Sequence, residues 1–331
     1  MSDRLLGSFL WCELLTTDTA AAQSFYRKVV GWTAVPFAPD GSCHVFNNAS
    51  GAGVGGVMKL PDAAKQMGAP PNWMMYVGTP SVDDTAVRIV SLGGRVMKQP
   101  EDIPNTGRFA VVQDPFGATF GIFQPPPNRP GRSGQPGIGD FSWFELYTPN
   151  PDGAWKFYQT LFGWEKTSAM DMGEMGVYQM FGRGGGIPNG GIMKPPPGAP
   201  AAWMPYALVK DAKAAAAAAT ANGGKIINGP MQVPGGDWIA QGIDPQGAMF
   251  SVHSLNPAAQ QAAPAKTAAP AKAAAKKTAK KSAKKAAKRS ASKRAKAKPV
   301  KKSAKPAKRS KPAKKKAAKK KAAKKAAKRK K

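Results

Sequence analysis

The sequence is poor in cysteine and histidine: Cys12, Cys43, His44 and His253 are all it has. With no CxxC spacing, a disulfide framework and a thiolate zinc site are both excluded. Two free thiols fit a reducing cytoplasm. No stretch approaches the ~18–20 apolar residues of a membrane span. The start, MSDRLLGSFLWCELLTTD, has acidic residues where a signal peptide needs an apolar run. A cytoplasmic protein with no membrane partner is expected. Residues 256–331 lack acidic and aromatic side chains altogether, yet hold 32 of the 50 Lys and Arg. The net charge of +31 therefore comes from this segment, because residues 1–255 carry 18 basic and 19 acidic residues. A near-neutral body precedes a polycationic tail. With one valine and no ring, the tail cannot bury enough surface to offset its ordering entropy, so disorder is expected there.

What the body does have is a repeat. GSFLWCELLTTD (7–18) returns as GDFSWFELYTPN (139–150), and FYRKVVGW (25–32) as FYQTLFGW (157–164). GGVMK (55–59) returns as GGIMK (190–194), and WMMYV (73–77) as WMPYA (203–207). GGRV (93–96) matches GGKI (223–226), and DPFGATFGIF (114–123) matches DPQGAMFSVH (244–253). Two homologous domains follow, 1–125 and 139–255, joined by a Pro/Gly linker at 126–138, with the tail at 256–331.

Each domain reads alike. Residues 9–15 alternate as a strand, with Phe9, Trp11, Glu13 and Leu15 on one face. Asp18 caps a helix through about residue 30, and Gly31 stops it. Strands are predicted at 32–37, 43–47 and 54–59. The pattern then restarts with a strand at 73–78, a helix near 82–92 and strands near 95–98, 108–113 and 118–123. In the second domain, Ala-rich 212–221 is helical by propensity. The fold class is α+β, with a βαβββ module four times over.

This order, with its FY…GW opening and closing DPxG, resembles the vicinal oxygen chelate superfamily (glyoxalase, bleomycin-resistance and dioxygenase proteins), in a tandem-domain glyoxalase-like branch. The resemblance covers nearly all of residues 7–254. It implies that each domain curves into a cup that receives a small molecule. It also implies metal ligands at first-strand positions held here by Trp11 and Trp143, and at last-strand positions held by Gly121 and Ser251. Around the fifth strand stand Trp73-Met74-Met75 and Trp203-Met204-Pro205. Those side chains do not coordinate well, so both cups are read as metal-free and without cofactor.

Within the cups, Glu13 and Glu145 are candidate ligand anchors or general bases, or else carboxyls paired for structure. Trp11, Met58, Trp73, Tyr76 and Phe120, with their counterparts Trp143, Met193, Trp203, Tyr206 and Phe250, line a cup for a flat apolar or aromatic molecule, or simply pack the core. His253 shares the inward parity of Ser251 and could work with Glu145 as an acid–base pair; a lone strand histidine is also a common structural element. Phe123 takes its place in the first domain. The Gly-rich runs at 51–56 and 182–186 lack the GK[ST] of a phosphate loop. Neither a GxSxG elbow nor a Ser/His/Asp set is evident.

The tail carries cation doublets every four residues: Lys276-Lys277, Lys280-Lys281, Lys284-Lys285 and Lys288-Arg289, with another cluster from Lys319, Lys320 and Lys321 onward. It is similar to linker-histone tails. Such doublets repel along a helix until phosphates neutralise them. Without aromatics to stack on bases, duplex DNA bound without sequence preference is the expected partner, ahead of anionic lipid or other polyanions. Three readings stay open: a small-molecule binder anchored on the nucleoid, a glyoxalase-type lyase or isomerase using Glu145 and His253 or an unrecognised metal site, and a structural nucleoid protein. Whether the domains pair within one chain or the chain forms a homodimer is also open.

Overall fold

A computed structural model describes residues 5–127, 134–184 and 188–256. The tail's DNA-binding lysines and its expected disorder therefore lie outside the described residues. The first repeat runs β1 (Phe9–Thr16), α1 (Thr19–Val29), β2 (Thr33–Pro36), β3 (Cys43–Asn47), β4 (Gly53–Lys59), α2 (Asp62–Gln66), β5 (Asn72–Gly78), α3 (Val82–Ser91), β6 (Arg95–Ile103), β7 (Gly107–Gln113) and β8 (Thr119–Gln124). The second runs β9 (Phe141–Tyr147), α4 (Pro151–Phe162), β10 (Glu165–Asp171), β11 (Val177–Gly182), β12 (Pro188–Met193), β13 (Ala202–Leu208), α5 (Ala212–Ala221), β14 (Lys225–Gln232), β15 (Trp238–Ile243) and β16 (Met249–Ser254). This is the α+β architecture of paired βαβββ modules. Short α2 was not foreseen, and β6 extends past the expected residue 98 through two register shifts against β7.

Local chemistry sets the helix ends. Asp18 accepts a hydrogen bond from the Ala21 amide at 3.0 Å, and Asn150 accepts one from Gly153 at 3.0 Å. Both occupy an amide the first helical turn would otherwise leave open. Gly163 ends α4 with φ 68°, a left-handed conformation that suits glycine.

Each repeat makes its own eight-stranded sheet, ordered β2-β3-β4-β1-β5-β8-β7-β6 and β10-β11-β12-β9-β13-β16-β15-β14. At each sheet's centre the two modules meet through an antiparallel pair: Glu13 lies opposite Met74 on β1 and β5, and Glu145 opposite Met204 on β9 and β13. Strand alternation then divides the side chains. Cys12, Leu14, Met75 and Val77 belong to a core that runs continuously through both repeats. Phe9, expected on the face of Trp11, is turned to that core by a register shift between Phe9 and Trp11 and stacks on Phe144 with ring centroids 3.7 Å apart. Trp11, Glu13, Met74 and Tyr76 lie on the opposite, concave face.

The shared motifs close the repeats on each other. The Tyr26 hydroxyl donates to Asp244 Oδ2 at 3.0 Å and accepts from Trp73 Nε1 at 2.9 Å. In mirror fashion, the Tyr158 hydroxyl donates to Asp114 Oδ2 at 2.9 Å and accepts from Trp203 Nε1 at 2.9 Å. Each aspartate's other oxygen ties its own DPxG turn, Asp114 taking the amides of Phe116 and Ala118. Trp32 Nε1 donates to the Gly139 carbonyl at 2.7 Å, and Trp164 Nε1 to the Gly7 carbonyl at 2.8 Å. So FY, GW and DPxG form a reciprocal clasp, and the two domains pair within one chain as a single compact unit.

Candidate functional site

The concave faces are matched in position but not in content. In the second cup Glu145 is buried, and its hydrogen-bond partners are spread over three strands, β11, β13 and β15. Tyr178 donates to Oε2 at 2.9 Å and Tyr206 to Oε1 at 3.0 Å, with Gln241 Nε2 3.3 Å from Oε1. The network continues outward: Trp143 Nε1 donates to the Tyr178 hydroxyl at 2.7 Å, Gln241 Nε2 to the Tyr206 hydroxyl at 2.6 Å, and Asn228 Nδ2 to Gln241 Oε1 at 2.9 Å. Tyr147, Tyr178, Met193, Met204 and Tyr206 form a buried cluster of their own, separate from the main core. The second cup is filled by its own side chains. Burial pushes the Glu145 carboxyl above the ordinary range, opposed by the surrounding hydroxyls and amide.

In the first cup Glu13 is half-buried and receives one side-chain hydrogen bond, from the Tyr76 hydroxyl at 3.2 Å. Burial raises its carboxyl too, opposed by Tyr76 and the positive charge of Lys98. Around it Trp11, Cys43, Val45, Met58, Met74, Phe109 and Val111 all stay half-exposed. At four positions a smaller residue replaces a larger one: Cys43 stands where Tyr178 does, Val45 for Met180, Leu15 for Tyr147 and Val111 for Gln241. Gly56 beneath the carboxyl matters as well, since a Cβ there would lie 3.0 Å from Glu13 Oε1. The first cup is thus an apolar bowl with an under-satisfied carboxyl at its floor.

Several predicted ligand contacts sit elsewhere. Trp73, Phe120, Trp203 and Phe250 belong to the main core, behind the sheets. The reason is strand parity: Trp73 and Tyr76 are three residues apart, so only one can face the cup, and inward Gly121 and Ser251 force Phe120 and Phe250 outward. Trp11, Met58 and Tyr76 do line the first cup, and Trp143, Met193 and Tyr206 the second.

Glu145 and His253 are not joined, because their hydrogen-bond partners are separate. His253 Nδ1 lies 2.9 Å from Ser142 Oγ, and Nε2 lies 3.0 Å from Asp237 Oδ2. A Ser/His/Asp set therefore does exist. No sequence motif marks it, because its members are scattered along the chain, yet the repeat carries a signal. At the matching positions the first domain has Leu10, Gly107 and Phe123, three apolar residues for three polar ones.

The donors present do not fit a divalent metal. The positions the resemblance assigns to ligands are Trp11, Trp143, Gly121 and Ser251, and among the described residues no three His, Cys, Asp or Glu side chains gather. Glu145's oxygens are already taken by hydroxyl donors.

Two curved sheets of paired βαβββ modules, each with a polar group at the floor of a concave face, define a tandem glyoxalase-like protein. The chain belongs to the Glyoxalase/Bleomycin resistance protein/Dioxygenase superfamily, whose family model matches residues 8–122 and 140–252. It is 37% identical over 259 residues to "Putative glyoxylase CFP32" of Mycobacterium tuberculosis, covering 77% of this chain and 97% of that protein. It is 29% identical to the anthracycline biosynthesis protein DnrV of Streptomyces peucetius, covering 75% and 94%. Among solved structures, the Mn(II)-bound glyoxalase from Novosphingobium aromaticivorans superposes with a TM-score of 0.53 at 16% identity, covering 77% and 85%. The 2,3-dioxygenase LapB from Pseudomonas sp. KL28 superposes with a TM-score of 0.52 at 12% identity, covering 76% and 94%. At such identities the likeness is one of fold.

Proposed function

We propose that this protein binds a small apolar or aromatic molecule in its first cup without a metal, and that its tail holds it on duplex DNA without sequence preference, in the cytoplasm at the nucleoid. The contrast between matched carboxyls carries the first part. Glu145 is enclosed by partners from its own domain, whereas Glu13 has one partner and half-exposed apolar walls around it. A ligand hydroxyl or carbonyl would complete the Glu13–Tyr76 pair, while its apolar body covers Trp11, Met58 and Met74. The relatives' names, a glyoxylase and an anthracycline biosynthesis protein, are consistent with small-molecule chemistry. The reading as a lyase or isomerase using Glu145 and His253 loses support from their separate partners. For the DNA part the support is composition: 32 cations and no acidic residue over 256–331.

The test uses N-phenyl-1-naphthylamine, a neutral aromatic probe whose fluorescence rises in apolar sites. One probe should bind per chain. Cys43→Tyr with Val45→Met, which gives the first cup the second cup's side chains, should weaken binding at least tenfold. Tyr178→Phe should leave it unchanged. Equal binding by the filled variant would reject the assignment to the first cup. Deleting residues 257–331 should abolish duplex retention at physiological salt and spare probe binding. A truncated body that still shifts duplex DNA would overturn the second part and favour a structural nucleoid role for the body itself.

A further inference from the structure

We propose that Ser142, His253 and Asp237 form a nucleophilic relay in the second domain, with Ser142 accepting an acyl group from small activated esters. The roles follow from hydrogen-bond chemistry. An ionised Asp237 can only accept, so the imidazole nitrogen it faces, Nε2 at 3.0 Å, carries the ring proton. Nδ1 is then the lone-pair nitrogen, and the Ser142 hydroxyl 2.9 Å away donates to it. That is the arrangement by which a base polarises a serine, with the two ring nitrogens exchanged relative to the familiar protease order. The other contact of Ser142 Oγ is a long one, 3.5 Å to the Tyr206 carbonyl. It does not compete strongly for the proton.

Two further observations point the same way. The trio is partly open: the His253 side chain is 13% exposed and that of Asp237 30%. The first domain has Leu10, Gly107 and Phe123 at the matching positions, so the fold does not require polar groups there and the trio is particular to the second domain.

The step balances without a cofactor. Ser142 Oγ bonds to the ester carbonyl carbon as its proton passes to His253 Nδ1. The tetrahedral adduct collapses, the ester C–O bond breaks, and the leaving alcohol takes that proton. Water then attacks the acyl carbon and gives a proton to His253; the acyl–Oγ bond breaks, the carboxylic acid leaves, and Oγ takes the proton back from His253, restoring the Ser142 hydroxyl. Asp237 is a positioning residue that fixes the tautomer.

The full chain should be treated with a fluorophosphonate probe, with the adduct located by peptide mass. Label is expected on Ser142, abolished in Ser142→Ala and His253→Phe. Asp237→Asn should slow labelling at least tenfold and shift its pH profile. It keeps the acceptor for the Asn256 amide, which lies 2.6 Å from Asp237 Oδ1. p-Nitrophenyl acetate hydrolysis should fall at least tenfold in Ser142→Ala at unchanged melting temperature; lysine-driven background is common to both proteins. A folded parent that takes no label at Ser142 overturns the proposal, as does a Ser142→Ala variant that hydrolyses the ester at the parent rate. Either result would leave the trio as a clamp on β16.

Discussion

Glu13 and Glu145 share a register position on matching strands, yet one is half-open and the other is sealed by tyrosines. Burial raises both carboxyls, so the folded state holds their protons more tightly than the unfolded chain does. The stability they lend is complete below the ordinary carboxylate pKa of about 4.3 and is lost as pH rises through the raised values. Glu145→Gln removes one such titration while keeping an acceptor for the tyrosines. Its melting temperature should fall less than the parent's between pH 4 and pH 8; the same slope in both proteins would mean that burial does not raise the Glu145 carboxyl. Little of this was legible from sequence. Alternation placed Glu13 and Glu145 correctly, but whether a carboxyl is engaged depends on Tyr178 and Gln241, 33 and 96 residues away from Glu145. The misassigned Trp73 and Phe120 were, by contrast, legible: their spacing from Tyr76 and Gly121 already fixes the face.

The elements came out largely as read, because their boundaries rest on local chemistry. Asp18, Asn150 and Gly163 act within a turn of where they sit. The clasp was not readable in this way. FY and DPxG are visible as motifs, but their joining depends on contacts over 218 and 44 residues. Tyr158→Phe keeps the ring and removes the hydroxyl between Trp203 and Asp114, leaving two buried polar groups unpaired. The expected loss is about 1–3 kcal/mol in urea unfolding, and Tyr26→Phe should match it at the other half of the clasp. A neutral result at both positions would mean the hydroxyls are dispensable and ring packing alone holds the halves. Gly7→Ala should cost stability for a different reason, since φ is +77° and a Cβ would lie 2.8 Å from Trp164 Nε1. Its unfolding midpoint should drop below the parent's.

At the scale of the whole molecule, charge and shape are kept in separate parts of the sequence. If the tail alone meets the phosphates, the log of duplex affinity should fall linearly with log salt, by about 0.9 for each phosphate neutralised. About ten contacts would give a slope near −9. Removing residues 304–331 should make the slope shallower without altering probe binding in the first cup. A slope indifferent to that shortening would place the cations that matter elsewhere. The repeat made the overall plan readable, since six matched blocks fixed both order and period. It could not foretell that one cup would stay open while the other filled, because that difference lies in the side chains that vary between the blocks.

The clasp has one more consequence. Each half finishes its own DPxG turn with a tyrosine hydroxyl lent by the other, and caps the other's tryptophan with a glycine carbonyl. Neither half completes its own clasp, so one half expressed alone would need a second copy to lend the missing hydroxyl and carbonyl. That interdependence leaves each concave surface free to diverge, since what binds the siblings together lies wholly on their backs.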